Sequence, residues 1–211
     1  MRLKLIDKNI HSTKVNTIPN MQIKNTFLLA INRDNLVKIL SIFALFLFVV
    51  CSNPSSALAL GGNQPPLDEP APEFLLPTNT GDGEISLGDY LGKWVVLYFY
   101  PADFTSGCTV EARRFQQDIE EYETRNAQIV GVSVDDVDSH REFCDAEGLK
   151  FPLLADTDGS VSKDYGSWLG IMSMRHTYLI NPEGILKKTF LGVKPNTHSK
   201  EVLASLDQLQ G

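Results

Sequence analysis

Apolar positions fall along this chain in short continuous runs separated by helical stripes. "WVVLYFY", residues 94–100, is uninterrupted, β-branched and aromatic, as a strand buried on both faces requires. "QIVGVSV" (128–134) and "HTYLI" (176–180) have the same character, and "FPLLA" (151–155) is a shorter version. Between them apolar residues recur at helical spacing over 107–123, 138–148 and 160–166, and "SKEVLASLDQL" is amphipathic in the same way. Strands alternating with helices predict an α/β sheet with crossover connections. "FLLPT" and "GEISL", split by the turn formers "NTGDG", predict a short hairpin ahead of that sheet. "NPEG" (181–184) predicts another, between "HTYLI" and "ILKKTFLGV".

The first third of the 211 residues follows a different pattern. "ILSIFALFLFVV", residues 39–50, is uncharged, and before it lie seven basic residues against Asp7 and Asp34. After it, Ala57-Leu58-Ala59 has the small-x-small form of a cleavage site. Together these predict a secretory signal over residues 1–59, with Met21 an alternative start. The run is shorter than the ~20 residues a membrane span needs, and an uncleaved anchor through residues 39–50 is the alternative. Periplasm and thylakoid lumen both suit such a signal. Residues 60–70, part of the Pro-rich "GGNQPPLDEPAPEF", read as an extended linker, and 71–211 as one domain large enough for a core. Beyond residue 59 the chain keeps 12 of its 19 basic and 24 of its 26 acidic residues, a net charge of −12. Such a surface repels phosphate backbones, which argues against nucleic-acid binding. Gly92-Lys93 lacks the spacing of a phosphate loop, since position 87 is leucine and Trp94 follows the lysine.

Three cysteines remain to be explained. Cys51 leaves with the signal, so Cys108 and Cys144 stay, and one pair can serve structure or redox chemistry. Cys108 stands where a buried strand gives way to a helix. With Ala112, Phe115, Ile119 and Tyr122 it forms a stripe of steps 4, 3, 4 and 3, which turns the thiol inward. A buried hydrophobe and a reactive thiol are both compatible with that position. A helix N-terminus favours a thiolate. Pro101 fixes the preceding loop, and Thr105 lies three residues ahead on the turn "TSGC". The absence of C-x-x-C argues against disulfide exchange of the thioredoxin type. His140 and Cys144, four apart, are half of a zinc site at most, since His176 and His198 are isolated. No metal or cofactor is expected, and His140 reads as an exposed helix residue.

Pro101-x-x-x-Thr105-x-x-Cys108 resembles the active-site motif of the peroxiredoxins, and "FYPADFTSGCTVEARRF" is most similar to their peroxiredoxin Q, or bacterioferritin-comigratory-protein, branch. "APEFLLPTNTGDGEISLGDYLGKWVVLYFYP", "QIVGVSVDDVDSHREF", "GLKFPLLADTDGSVSKDYG" and "RHTYLINPEG" extend the resemblance over about residues 71–208. It implies a thioredoxin-like fold, a central mixed sheet flanked by helices with an N-terminal hairpin. It implies a peroxidase in which Cys108 attacks hydrogen peroxide or an organic hydroperoxide. Pro101 then shields the thiolate, Thr105 hydrogen-bonds sulfur and peroxide, Arg175 is the active-site arginine, and Glu111 orients it. Many members of the branch carry a second cysteine five residues after the first, where this chain has Arg113. Cys144 resembles the resolving cysteine of another subgroup, which implies a Cys108–Cys144 disulfide, a thioredoxin-like reductant and, as is common in the branch, a monomer. A one-cysteine peroxidase, a redox-sensing or chaperone-like binding domain, and a thiol–disulfide oxidoreductase on the same fold are the alternatives.

Overall fold

The computed structural model describes residues 61–80 and 83–211; the signal read over residues 1–59 lies outside them. Among the described residues no helix is long and apolar enough to cross a membrane. Strands β1 (Leu75–Pro77) and β2 (Glu84–Ser86) pair antiparallel as the N-terminal hairpin, and a 3-10 turn follows at Leu87–Tyr90. The rest runs β3 (Trp94–Phe99), α1 (Ser106–Gln117), α2 (Ile119–Thr124), β4 (Ala127–Ser133) and α3 (Val137–Glu147), then β5 (Leu153–Ala155) and α4 (Ser160–Asp164). It closes with β6 (His176–Ile180), β7 (Leu186–Leu191) and α5 (His198–Gln210). The five-stranded sheet has the order β5-β4-β3-β6-β7. β3, β4 and β5 are parallel, while β6 and β7 run against them, the last pair turning at Asn181–Gly184 as its sequence predicts.

Strand β3 is buried on both faces because alternate residues feed two cores. Trp94, Val96 and Tyr98, with Tyr100 beyond them, pack with Cys108 and Phe115 of α1, Phe143 of α3 and Leu206 of α5. Val95, Leu97 and Phe99 pack on the opposite side with Phe74, Leu76, Val161 and Tyr165. Gly131 in β4 has no room for a side chain: a Cβ there would lie 2.5 Å from Leu153 Cδ2 and 2.8 Å from Tyr98 Oη.

Two features differ from the sequence pattern. The helix predicted over 107–123 breaks at Asp118, which ends α1 and starts α2 with φ −97° and ψ 8°. There the Asp118 carboxylate accepts from Ser199 Oγ at 2.7 Å and pairs with Lys200 Nζ at 2.9 Å, so α5 supplies partners that periodicity does not reveal. The Pro-rich segment is fastened to the domain. Trp168 N donates to the Gly61 carbonyl (3.1 Å), Gln64 Nε2 to that of Gly166 (2.6 Å), and Asp68 N to that of Leu186 (2.8 Å). Tyr178 Oη donates to Gln64 Oε1 at 2.7 Å.

Candidate active site

Cys108 is the third residue of α1, on the first turn, where backbone amides lack helical carbonyl partners. Its stripe on α1 faces the sheet, and the side chain is 1% exposed. Arg175, just before β6, reaches the same point across the sheet, and its Nη2 donates to Cys108 Sγ at 3.4 Å. Nη1 donates to Glu111 Oε2, one turn along α1 from the cysteine. The guanidinium therefore bridges sulfur and carboxylate. Burial works against the Arg175 charge, but Glu111 and Cys108 outweigh it and raise its basicity. Burial pushes Glu111 up to about 7, with Arg175 offsetting part of the rise, and Glu111 Oε1 is buried without a hydrogen-bond partner.

Gly107 makes this bridge possible. A Cβ at that position would lie 3.1 Å from Arg175 Nη2, so the arginine crosses where a side chain would stand. Thr105 is the N-cap residue of α1. Its hydroxyl donates to the Ala102 carbonyl at 3.0 Å, and the sulfur's hydrogen bond among the described residues comes from Arg175. The structure thus brings Cys108, Arg175 and Glu111 together, while Thr105, at the start of the same helix, directs its proton elsewhere. Pro101 begins the loop, directly after Tyr100, whose amide donates to the Val132 carbonyl at 3.0 Å and prolongs the sheet.

A thiol at a helix start under a guanidinium is the expected arrangement for peroxide chemistry, and the AhpC/TSA family profile matches residues 67–189. The chain belongs to the AhpC/TSA family, the peroxiredoxins. A Helicobacter pylori protein named as a peroxiredoxin bcp is 44% identical over 146 residues, 64% of this chain and 94% of the relative. A mitochondrial thioredoxin-dependent peroxide reductase of Drosophila melanogaster is 38% identical over 157 residues, 68% of this chain and 67% of the relative. Among solved structures, the bacterioferritin comigratory protein of Xanthomonas campestris, described for its alkyl peroxide reduction activity, aligns with a TM-score of 0.62 and 32% identity. That alignment covers 65% of this chain and 92% of that one. The peroxiredoxin described here has their thioredoxin-like fold, in the Bcp/Q branch.

The second cysteine of this peroxiredoxin lies in α3. Cys144 is 6% exposed and packs in the same core as Cys108, and both thiols are free. Burial pushes the Cys144 thiol up to about 12, with Asp103 and Asp145 adding to the rise. Helix α3 ends at Gly148 in the left-handed region (φ 64°), and Leu149 N caps the Cys144 carbonyl.

His140 corrects the sequence reading. Far from exposed, its ring is fully buried, 2.8 Å from Asp103 Oδ2. The physical reason is its place on the face of α3 that also carries Phe143 and Cys144, which turns it into the core. Asp103 and Asp135 were given no role from sequence. The apolar neighbours of His140 at three and four residues' distance were the available signal, since a histidine on a buried face needs a partner. Ligand atoms of Asp103, Asp135 and His140 lie within 4.8 Å of one another. Each is engaged in hydrogen bonds to Tyr100, Ser133, Ser139 or the Asp103 amide, and together they form a buried polar network.

Proposed function

We propose that Cys108 is the peroxidatic cysteine of a thiol peroxidase acting on hydrogen peroxide and organic hydroperoxides. The observation that carries this is the Arg175 guanidinium, fixed by Glu111 and donating to a sulfur on the first turn of a helix. Thiolate attack forms the S–O bond and breaks the O–O bond, and the alkoxide or hydroxide leaves to be protonated as alcohol or water. Charge moves from sulfur to the leaving oxygen, and the guanidinium and helix-start amides stabilise it there. Pro101 shields the sulfur, and Thr105, with its hydroxyl oxygen still free to accept, receives a hydrogen bond from the peroxide. The Cys144 thiol then condenses with the Cys108 sulfenic acid, forming the disulfide and releasing water. A thioredoxin-like dithiol takes up the oxidation. The basic, apolar and small-x-small order of residues 1–59 supports export, so the reductant lies outside the cytosol, and the enzyme acts as a monomer.

The full chain carrying Cys51→Ser, reduced and given one equivalent of hydrogen peroxide, tests this by intact mass and thiol titration. Loss of both thiols and of two protons within seconds is expected, and Cys108→Ser abolishes it. Gain of one oxygen with Cys144 retained establishes the one-cysteine alternative, which the high pKa of the buried Cys144 thiol favours. Survival of both thiols for many minutes overturns the peroxidase.

A further inference from the structure

The loop leading to Cys108 and the helix carrying Cys144 are joined by a buried contact that the chemistry above does not use. Asp103 lies five residues before Cys108, and His140 one turn before Cys144. The Asp103 carboxylate accepts from Tyr100 Oη and Ser139 Oγ, each at 2.7 Å, and from His140 Nδ1 at 2.8 Å. His140 Nε2 lies 3.2 Å from the Leu154 carbonyl, a second acceptor within reach of the ring. The Asp103 amide donates to Asp135 Oδ2 at 2.8 Å, just ahead of α3. The next residue, Phe104, sits at φ 57°, a strained position for a bulky side chain, and its ring meets Phe143 edge-on at 5.1 Å. Every one of these contacts links the loop to α3 or to the residues that start it, except those to Tyr100 and Leu154.

Resting on the reading of Cys144 as the resolving residue, we propose that Asp103 and His140 form a latch. Its opening sets the rate at which Cys144 reaches the oxidised Cys108. Cys144 shares the buried face of α3 with His140 and Phe143, so drawing that face out of the core disturbs the contacts of all three. The latch is all-or-none, because partial separation leaves buried donors and acceptors unsatisfied. While it is closed, the sulfenic acid waits and stays open to a second peroxide. Once it opens, the Cys144 sulfur attacks the Cys108 sulfur, the S–O bond breaks, and hydroxide leaves with the thiol proton as water. Asp103 and His140 are positioning residues here, acting on resolution and not on the first oxidation.

Rapid-quench mass spectrometry of the full chain carrying Cys51→Ser, after one equivalent of hydrogen peroxide, measures sulfenic acid and disulfide separately. His140→Gln and Asp103→Asn are each expected to speed disulfide formation by about tenfold, the scale of one lost buried hydrogen bond. The rate of sulfenic acid formation should stay within about twofold and sulfinic acid at excess peroxide should fall. The double variant should be no faster than either single, since a latch opens once. Arg141→Ala, which removes an exposed pair with Asp138 on the same helix, should change nothing. Ser139→Ala, which takes one donor from Asp103 with little disturbance, should give a smaller acceleration and serves if the other variants fold poorly. Unchanged disulfide rates overturn the latch, as does a double variant whose effect is the product of the singles, the mark of general loosening. If the parent forms no disulfide, the reading of Cys144 fails and the latch with it.

Discussion

At Gly107 an absent side chain does the positioning. Arg175 Nη2 lies 3.1 Å from where a Cβ would be, so Gly107→Ala must displace the guanidinium by a few tenths of an ångström. Alanine is otherwise the better helix residue. The melting temperature should therefore hold or rise while the second-order rate of Cys108 oxidation, read by stopped flow, falls about tenfold. Glu111 gives a prediction in pH. Burial raises its pKa from 4.5 to about 7, so the folded state holds this proton more tightly than the unfolded chain. The stability it contributes is complete below about pH 4.5 and is lost as pH rises through about 7. Relative to Glu111→Gln, the parent should lose at most about 3 kcal/mol of unfolding free energy between about pH 5 and pH 8, measured by urea titration. Cys108 and Glu111 were legible because their motif sits in a strand–loop–helix setting that fixes where side chains point, whereas Arg175, 67 residues from Cys108, was reached through the family resemblance alone. The direction of the Thr105 hydroxyl was not, since the Ala102 carbonyl, three residues before it, competes with the sulfur three residues after it. Nor was the pairing of His140, whose partner lies 37 residues away.

At the scale of elements, the strands were the easiest to read. "HTYLI" is β6 residue for residue, and "WVVLYFY" exceeds β3 by its last residue alone. A strand buried on both faces leaves an unbroken apolar run that few other structures produce. "FPLLA" is two residues longer than β5, because Phe151 and Pro152 are buried ahead of the strand and only the Pro152 carbonyl, accepting from Gly131 N at 3.0 Å, reaches the ladder. The α1–α2 break was hidden for the opposite reason. Asp118 interrupts the backbone while the apolar stripe continues across it to Tyr122, whose hydroxyl donates to the Ser199 carbonyl at 2.7 Å. Within the sheet, Gly131→Ala should destabilise by about 1–3 kcal/mol through overpacking against Leu153 and Tyr98. Thermal unfolding reads this directly, and an unchanged melting temperature would show that β4 can shift to make room.

For the whole molecule, the least legible feature was the segment from Gly61 to Pro70. Its composition is that of a spacer, yet Gln64 alone makes two hydrogen bonds, to Gly166 and Tyr178. Gln64→Ala should cost about 1 kcal/mol in unfolding free energy, because the Gly166 carbonyl loses its donor while the Tyr178 hydroxyl keeps the Tyr165 carbonyl as acceptor. A change within experimental error would mean that water replaces the glutamine at no cost. The place of attachment matters more than its strength. Gly61 accepts from Trp168 N and leaves a Cβ no space beside Gly166 and the sulfur of Met174, the residue before Arg175. A pull on the backbone at Gly61 is thus borne first by the loop that delivers the guanidinium and only then by the sheet. Tension on this segment is therefore passed to the stretch of chain that ends at Arg175.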